Sequence, residues 1–273
     1  MGPHDRYKPV PGRDYEPSDA PLEKLQAMHS ALGIDRAVII HPLVYGYDHS
    51  ATLDALAVGR GAYRGIAAVD DRTSEGKLEA FHEAGIRGVR FHFFRFHGKA
   101  PELDVLRRTC KRIARLGWHV LIHIELADIA EFGPEFLTLE VPFVIDHMGY
   151  PLLAKGVGQK AFQDMLELMQ HPQCWAKISS GDRHSATSAP YADAIPFVRA
   201  MAEASPNRTI WGTNWPHVMY KHMYRGEPGL PPPDEGDLMN LLWDGVGSAE
   251  AVKKILVDNP DRLYGFDPPR QAA

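Results

Sequence analysis

Histidines and arginines that could bind or polarise a small anion recur at one kind of position along this sequence. Each ends or follows a short apolar run, as His123 follows Leu121-Ile122. Histidine carries protons, polarises carbonyls or binds metals near neutral pH, and the N–H fork of arginine suits carboxylates. The polar residues that end such runs are His41, Asp70, His92, His123, His147, Arg183 and Asn214.

Seven short apolar runs predict the strands that would position these side chains. They cover residues 37–40, 65–69, 88–93, 120–124, 143–146, 175–179 and 209–212. Apolar spacing typical of amphipathic helices predicts helices over residues 50–60, 74–84, 102–116, 128–136, 159–169, 191–204, 238–243 and 249–256. Strand and helix alternate along the chain, which predicts parallel pairing through right-handed crossovers.

Two architectures fit this alternation, an open doubly wound sheet and a closed barrel. No GxGxxG or P-loop motif marks the first strand–helix turn, which disfavours the dinucleotide-binding option. Polar residues end nearly every strand, as a barrel builds its site, whereas an open sheet gathers them at one switch point. The sequence therefore predicts one α/β domain over residues 1–273, a (β/α)₈ TIM barrel.

Charge and composition exclude several classes of partner. The net charge is −5 and no basic block is present, so we predict neither a nucleic-acid nor a membrane partner. No apolar run approaches the roughly 18 residues of a membrane span, and the polar start carries no signal-peptide pattern. Cys110 and Cys174 lie in apolar patterns without zinc spacing, which predicts core thiols in the cytoplasm. Homo-oligomerisation stays open.

Five runs in this order resemble one known family. They are GVRFH (88–92), GWHVLIH (117–123), IDHMGYP (145–151), WGTNWPH (211–217) and DNPDRLYGF (258–266). Together they resemble the amidohydrolase-related family of the amidohydrolase superfamily, typified by 2-pyrone-4,6-dicarboxylate lactonase. The resemblance spans nearly the whole chain. It implies a hydrolase that opens a small, carboxylated, anionic lactone in aromatic-acid or sugar-acid catabolism.

The resemblance also implies roles for individual residues. His147 matches the catalytic histidine of the sixth barrel strand, Arg90 and Arg183 match arginines that bind substrate carboxylates, and Tyr15 matches a substrate-contacting tyrosine. We predict three catalytic residues, His147, Asn214 and His123. We predict six substrate-binding residues, Arg90, Arg183, Tyr15, Tyr150, His92 and His217.

Three departures from the family pattern change these expectations. The His-x-His pair of the first barrel strand is absent, so we expect a barrel that lacks this strand, through a late gene start or truncation. Asn214 replaces the acid that ends the last strand, and since an amide accepts no proton at neutral pH, His147 or His217 must serve as base. Tyr150 replaces an arginine, which implies a sulfonate, a hydroxyl or one carboxylate fewer on the substrate.

In metal-dependent amidohydrolases, the histidines of the fifth and sixth barrel strands bind one metal ion together. The lactonase resemblance implies a reaction without metal. His123 and His147 supply only two ligands, and zinc takes three or four. We therefore predict no cofactor, and a divalent metal such as zinc, if bound, would be held by His123 and His147.

Three alternative functions remain open at this point. A lactone isomerase of the same family would move an acyl group between hydroxyls without net water, which suits Asn214. A metal-dependent amidohydrolase or decarboxylase is the second alternative. The third is an inactive, truncated scaffold, because a barrel without its first strand exposes two strand edges and should aggregate or oligomerise.

Overall fold

The core of the protein is one parallel sheet whose seven strands pair strictly in sequence order. The computed structural model describes residues 1–11, 18–93, 102–218 and 233–266. The strands are β1 (Ala37–Ile40), β2 (Tyr63–Ala67), β3 (Ile86–His92), β4 (His119–His123), β5 (Phe143–Ile145), β6 (Cys174–Ile178) and β7 (Thr209–Trp211). A sequential order is that of a barrel, since a doubly wound sheet reverses its winding partway. The barrel prediction is thus confirmed, and the described residues form seven of its eight strands.

Helices connect consecutive strands and cover the outer face of the sheet. They are α1 (Leu22–Leu32), α2 (Ser50–Gly59), α3 (Glu75–Glu83), α4 (Leu103–Ala114), α5 (Ile129–Phe136), α6 (Lys160–Leu168), α7 (Gly181–His184), α8 (Ile195–Ala204), α9 (Glu235–Val246), α10 (Ala249–Lys253) and α11 (Asn259–Tyr264). A π-helical turn, Lys254–Asp258, joins the last two. Of the residues described, no helix is long and apolar enough to cross a membrane.

Local sequence explains where several helices begin and which face they bury. Ser74 caps α3, because its side chain accepts a hydrogen bond from the backbone N–H of Lys77. On α4, Leu106, Cys110 and Ile113 are buried, as their helical spacing predicts. Helix α1 was not predicted, although Leu22, Leu25, Met28 and Leu32 carry the same spacing.

The two faces of the sheet carry different side chains, because neighbours along a strand point to opposite sides. The outer face packs on the helices in a large apolar cluster. The inner face holds a smaller cluster formed by Ile66, Leu121, Val144, Trp175, Ile210 and Tyr264. Two residues further along their strands, on this same inner side, lie His123, Asp146 and Lys177. The sheet therefore places a polar layer directly above the apolar floor of the barrel.

The curled sheet stays open between its first and last strands. Within the described ranges, β1 pairs only with β2 and β7 only with β6. Both edges line one cavity of about 520 Å³ that continues to the carboxyl ends of the strands. Leu25 and Leu32 of α1 and Tyr264 of α11 line its side. The assignment of residues 1–273 to a single domain stays a prediction.

Candidate active site at the carboxyl ends of the strands

Most of the predicted site residues line one cavity at the carboxyl ends of the strands. The sheet brings together residues from β3, β4, β6 and the turns after β5, β6 and β7. Those that line the cavity are Arg90, His92, His123, His147, Tyr150, Lys177, Arg183 and Asn214. A site at this end of the strands is where barrel enzymes hold their reacting groups.

A fully buried carboxylate, that of Asp146, organises the polar layer. Its Oδ2 accepts a hydrogen bond from Arg90 Nη2 at 2.5 Å, and its Oδ1 lies 2.6 Å from Lys177 Nζ. The backbone N–H of His147 also donates to Oδ1, at 3.0 Å. Burial alone would raise the pKa of Asp146, but the neighbouring cations outweigh it and hold the pKa well below its usual range. Asp146 is therefore ionised and shared by two cations.

His147 lies against this carboxylate and is held from both sides of its ring. Its Nε2 lies 3.3 Å from Asp146 Oδ2, and its Nδ1 lies 2.8 Å from Ser179 Oγ and 2.9 Å from Ser180 Oγ. Burial lowers the pKa of His147 well below 6.5, although Asp146 opposes the shift. The ring is neutral at pH 7, and either neutral tautomer leaves one nitrogen able to take up a proton.

A second row of polar side chains crosses the cavity from β3 to the turn after β5. His92 Nδ1 lies 3.0 Å from His123 Nδ1, and His123 Nε2 lies 2.8 Å from the hydroxyl of Tyr150. The rings of His123 and His147 are 5.5 Å apart, centroid to centroid. The two predicted catalytic histidines thus lie side by side, and Tyr150 bridges toward His184 beyond them.

Donors without a protein partner lie in the same region. Arg90 Nε and Asn214 Nδ2 are buried and make no hydrogen bond to any described residue. Arg183, which is 4% exposed, donates one hydrogen bond from Nη2 to the carbonyl of Val218. Buried donors are normally satisfied, so these groups point to a ligand that brings oxygen atoms.

Two of the described residues singled out from the sequence do not line the cavity. His217 is buried behind the cavity, where its Nε2 lies 3.2 Å from Glu235 Oε1, and it is not among the residues that line the cavity. Asp70 turns away to Arg72 and Thr73. Tyr15 lies outside the described residues.

The backbone around the site holds an unusual conformation. Six residues other than glycine adopt positive φ at the strand ends, namely His147, Met148, Tyr150, Ser180, Asn214 and His217. Positive φ costs roughly 1–2 kcal/mol for such residues, and strain of this kind gathers at functional sites. The turn from His147 to Tyr150 aims both named side chains into the cavity.

Among the described residues, His123 and His147 are the candidate metal ligands, and other side chains already engage their ring nitrogens. Across the described part of the chain, no group of three or more His, Cys, Asp or Glu side chains could hold a metal ion. His123 uses one ring nitrogen with Tyr150 and the other with His92. His147 uses Nδ1 with two serines. Zinc takes three or four protein ligands, and His123 and His147 could supply two.

Sequence reasoning missed Lys177 and the central position of Asp146. Lys177 lies inside an apolar run, Cys174–Ile178, and was passed over as a strand residue. A signal was present: Trp175, Lys177 and Ser179 share one face of the strand by alternation. A lysine on the inner face of a barrel strand indicates a buried counter-ion, here Asp146.

The sequence is similar to that of known proteins over nearly its whole length. The sequence pattern of the amidohydrolase family matches residues 2–266. A 2-pyrone-4,6-dicarboxylate hydrolase of Comamonas testosteroni is 37% identical over 274 residues, covering 97% of this chain and 87% of that protein. A 4-sulfomuconolactone hydrolase of Hydrogenophaga intermedia is 37% identical over 267 residues, covering 97% and 86%.

A solved structure extends the agreement to three dimensions. A Pseudomonas putida protein, assigned as a 2-pyrone-4,6-dicarboxylic acid hydrolase, superposes with a TM-score of 0.81 at 28% identity, covering 94% of this chain and 92% of that one. The family pattern covers nearly all of the sequence, and a relative that is 37% identical covers 97% of this chain. The chain belongs to the amidohydrolase family.

Proposed function

We propose that this protein hydrolyses the ester bond of a small lactone that carries a carboxylate or a comparable anionic group. One observation carries the proposal: Arg90 and Lys177 share the single carboxylate of Asp146, so the cavity holds uncompensated positive charge. A buried excess charge is costly without a counter-ion, and an anionic substrate supplies one. Relatives that act on anionic lactones support the same substrate class.

Arg90 and Arg183 bind the anionic groups of the substrate in this proposal. Both line the cavity, and Arg90 keeps its Nε free of any partner among the described residues. A guanidinium presents parallel N–H donors that match the two oxygens of a carboxylate or of a sulfonate. His92 and Tyr150, on the opposite row, border the other end of the ring.

His147 carries the proton in the proposed hydrolysis. Its ring is neutral and lines the cavity, so it accepts a proton from the attacking water. A substrate anion bound beside it would favour the protonated ring and raise the pKa of His147 toward neutrality. Asn214 holds a buried N–H donor at the end of β7, where it orients the water or the ring, and His123 fixes the neighbouring wall.

The substrate follows from the row that contains Tyr150. Its hydroxyl is already bonded to His123 Nε2, so this side of the cavity offers a neutral group and not a cation. We infer a substrate with one strongly anionic group fewer on that side than a dicarboxylate. A monocarboxylated lactone, or one with a hydroxyl group on that side, fits this description.

We propose that the reaction needs no metal, because among the described residues no group of three or more His, Cys, Asp or Glu side chains could hold one. Elemental analysis of the purified protein tests this directly, together with turnover before and after prolonged chelation. Stoichiometric zinc whose removal abolishes turnover would overturn the metal-free mechanism.

The central test is an assay of ring opening, in which the loss of the lactone's absorbance is measured. The panel contains 2-pyrone-4,6-dicarboxylate, 4-sulfomuconolactone and monocarboxylated lactones. We expect Arg90→Gln to raise KM by at least about 10-fold, since it removes a charge-assisted pair. Arg108→Gln, a change at an exposed surface pair, is the matched control and should leave KM unchanged. Failure to open any lactone would overturn the proposal.

Lactone isomerisation is the second candidate, favoured by the composition of the cavity wall. Among the described residues that line the cavity, Asp35 is the acidic one. It precedes β1 and therefore lies at the amino ends of the strands, far from a substrate bound at their carboxyl ends. Asn214 stands where a carboxylate base would otherwise act. Turnover in heavy-oxygen water separates the two reactions, because hydrolysis places the label in the product carboxylate and isomerisation does not.

We also propose that the protein works in the cytoplasm. Cys110 and Cys174 are buried free thiols, which suits a reducing compartment. Fractionation of the source cells, with a secreted marker as comparison, tests the location.

A further inference from the structure

Lys177 is a buried lysine that takes no part in the proton transfer proposed for His147. Its side chain is 12% exposed and it lines the cavity. It lies on the inner face of β6, above Trp175 of the apolar floor. A lysine is rarely kept in such a place without a task, because burial penalises its charge.

The amino group of Lys177 retains hydrogen-bonding capacity toward the cavity. An ammonium has three N–H donors, and of the described residues one side chain, Asp146, engages it, with Nζ 2.6 Å from Oδ1. Burial lowers the pKa of Lys177, and Asp146 opposes the shift. The Asp146 carboxylate therefore anchors Nζ and favours its charged form while leaving two donors for a bound molecule.

The stem of Lys177 runs toward the end of β7. A Cβ placed on Gly212 would lie 3.4 Å from Lys177 Cδ and 3.8 Å from its Cε. Gly212 is two residues before Asn214, so the stem passes beneath the strand end that carries the free amide. On its other side, Nζ shares Asp146 with Arg90 and with His147. Lys177 thus lies between the proposed anion-binding residue, the proposed proton carrier and Asn214.

We propose that Lys177 Nζ donates a hydrogen bond to the lactone carbonyl oxygen and stabilises the oxyanion formed during ring opening. The assignment rests on the proposed lactone hydrolysis. Water adds to the carbonyl carbon, its proton passes to His147, and the C=O electron pair moves onto the oxygen held by Lys177. The pair then returns, the ring C–O bond breaks, and the leaving oxygen takes the proton from His147. The new carboxyl group releases its proton to solvent.

The test is a split between kcat and KM. Lys177→Met keeps the length of the stem and leaves Asp146 paired with Arg90. We expect kcat to fall by about 100- to 1,000-fold, the usual effect of deleting one oxyanion donor. KM should rise by a much smaller factor, because Lys177 also contributes to the positive charge that attracts the substrate. Lys160→Met, at an exposed helix position, is the control and should match the parent. A parent-like kcat in Lys177→Met would overturn the proposal.

A second variant covers the outcome that Lys177→Met does not fold. Lys177→Arg keeps the charge beside Asp146 but displaces the donors, so we expect a folded protein whose kcat is at least about 10-fold lower. A parent-like kcat in this variant would equally overturn the proposal. The parent protein tests the premise separately: if it opens no lactone, the proposed function fails, whereas an active parent with active Lys177 variants refutes only the role of Lys177.

Discussion

Asp146 shows how one residue supports both the fold and the site. Its carboxylate is inaccessible to solvent and holds Arg90 and Lys177 from opposite oxygens. The same group receives the backbone N–H of His147 and thereby fixes the start of the left-handed turn. Removing its charge would leave two buried cations without a counter-ion.

We therefore expect Asp146→Asn to lower the free energy of unfolding by about 3–5 kcal/mol, the usual cost of breaking a buried ion pair. Urea denaturation followed by circular dichroism measures the change. Asp104→Asn, which alters an exposed pair with Arg107, is the control and should cause no measurable loss. A loss in Asp146→Asn as small as in the control would contradict this account.

Buried neutral histidines predict how stability depends on pH. Burial lowers the pKa of His41 and of His217 to about 4, and that of His119 to about 3. The unfolded chain binds protons on these groups near pH 6.5 and the folded chain does not. Stability is therefore full above pH 6.5 and falls as pH drops toward 4, by up to about 1.4 kcal/mol per pH unit for each group.

His119 offers a direct check of this dependence. Both of its ring nitrogens are buried without a partner in the described part of the chain. His119→Leu, close in volume, should reduce the slope of unfolding free energy against pH by up to one proton between pH 6 and pH 4. Denaturation curves at four pH values give the slope. An unchanged slope would show that His119 does not titrate on unfolding.

At the scale of elements, the turn after β5 sets the direction of the side chains of His147 and Tyr150, both of which line the cavity. Its four residues, His147 to Tyr150, all have positive φ. Gly149 is the member without a side chain, and a Cβ there would lie 2.7 Å from Leu126 Cδ2 and 3.0 Å from Met165 Sδ. The turn is thus wedged against α6 and the segment before α5.

Gly149→Ala should lower both the free energy of unfolding and the activity. The added methyl group would clash with Leu126 and Met165, and an alanine at positive φ has an additional backbone cost. Gly156→Ala is the matched control, since Gly156 has φ +68° against +67° at Gly149, but a Cβ added there would meet nothing within 4 Å. We expect roughly 1–2 kcal/mol for the backbone alone and a larger loss in Gly149→Ala. Equal losses would mean that Leu126 and Met165 yield without cost.

Sequence patterns located the strands better than the side-chain network. All seven strands begin and end within two residues of the predicted bounds, because continuous apolar runs mark strands covered on both faces. Helices such as α8 and α9 deviate by three or four residues, since their ends depend on tertiary contacts. Positive φ at residues such as Tyr150 and Ser180 could not be predicted from the sequence, because glycine and, less strongly, Asn, Asp and His are the residue types that favour it.

For the site, sequence spacing placed Arg90, His123, His147 and Asn214 at strand ends, and the fold brings them to one cavity. The spacing could not distinguish Asn214 from His217, which also follows β7 but is buried against Glu235. Two or three residues past a strand, the chain turns, and alternation no longer predicts where a side chain lies. Lys177 was not predicted as a site residue, although it lies within a strand. There, alternation does indicate that its side chain lies on the inner face of the barrel.

At the scale of the molecule, the open edges of β1 and β7 predict self-association. Along β1 the backbone N–H groups of Ala37 and His41 bond to β2, so by alternation those of Val38 and Ile40 face the open edge. Unpaired strand edges attract strands of other chains. Sedimentation velocity between micromolar and tenfold higher concentrations should show dimers or larger species.

Val38→Pro removes one edge donor without touching the ladder to β2, and should weaken this association. Val58→Pro would break a helix, so Val58→Thr, at an exposed position of α2, is the appropriate surface control. The prediction would be contradicted by a parent protein that stays monomeric at every concentration and unfolds in a sharp transition. The gap between β1 and β7 would then be closed in solution.

The shared carboxylate of Asp146 has a practical consequence for handling the protein. Because the cavity holds more cations than anions, we expect it to bind small oxyanions such as phosphate, sulfate or citrate from a storage buffer. Such ions compete with substrate and inflate the apparent KM, while a bound ion shifts the folding equilibrium and makes the preparation look more robust. The choice of counter-ion, more than the concentration of salt, then decides whether an assay reports the empty enzyme.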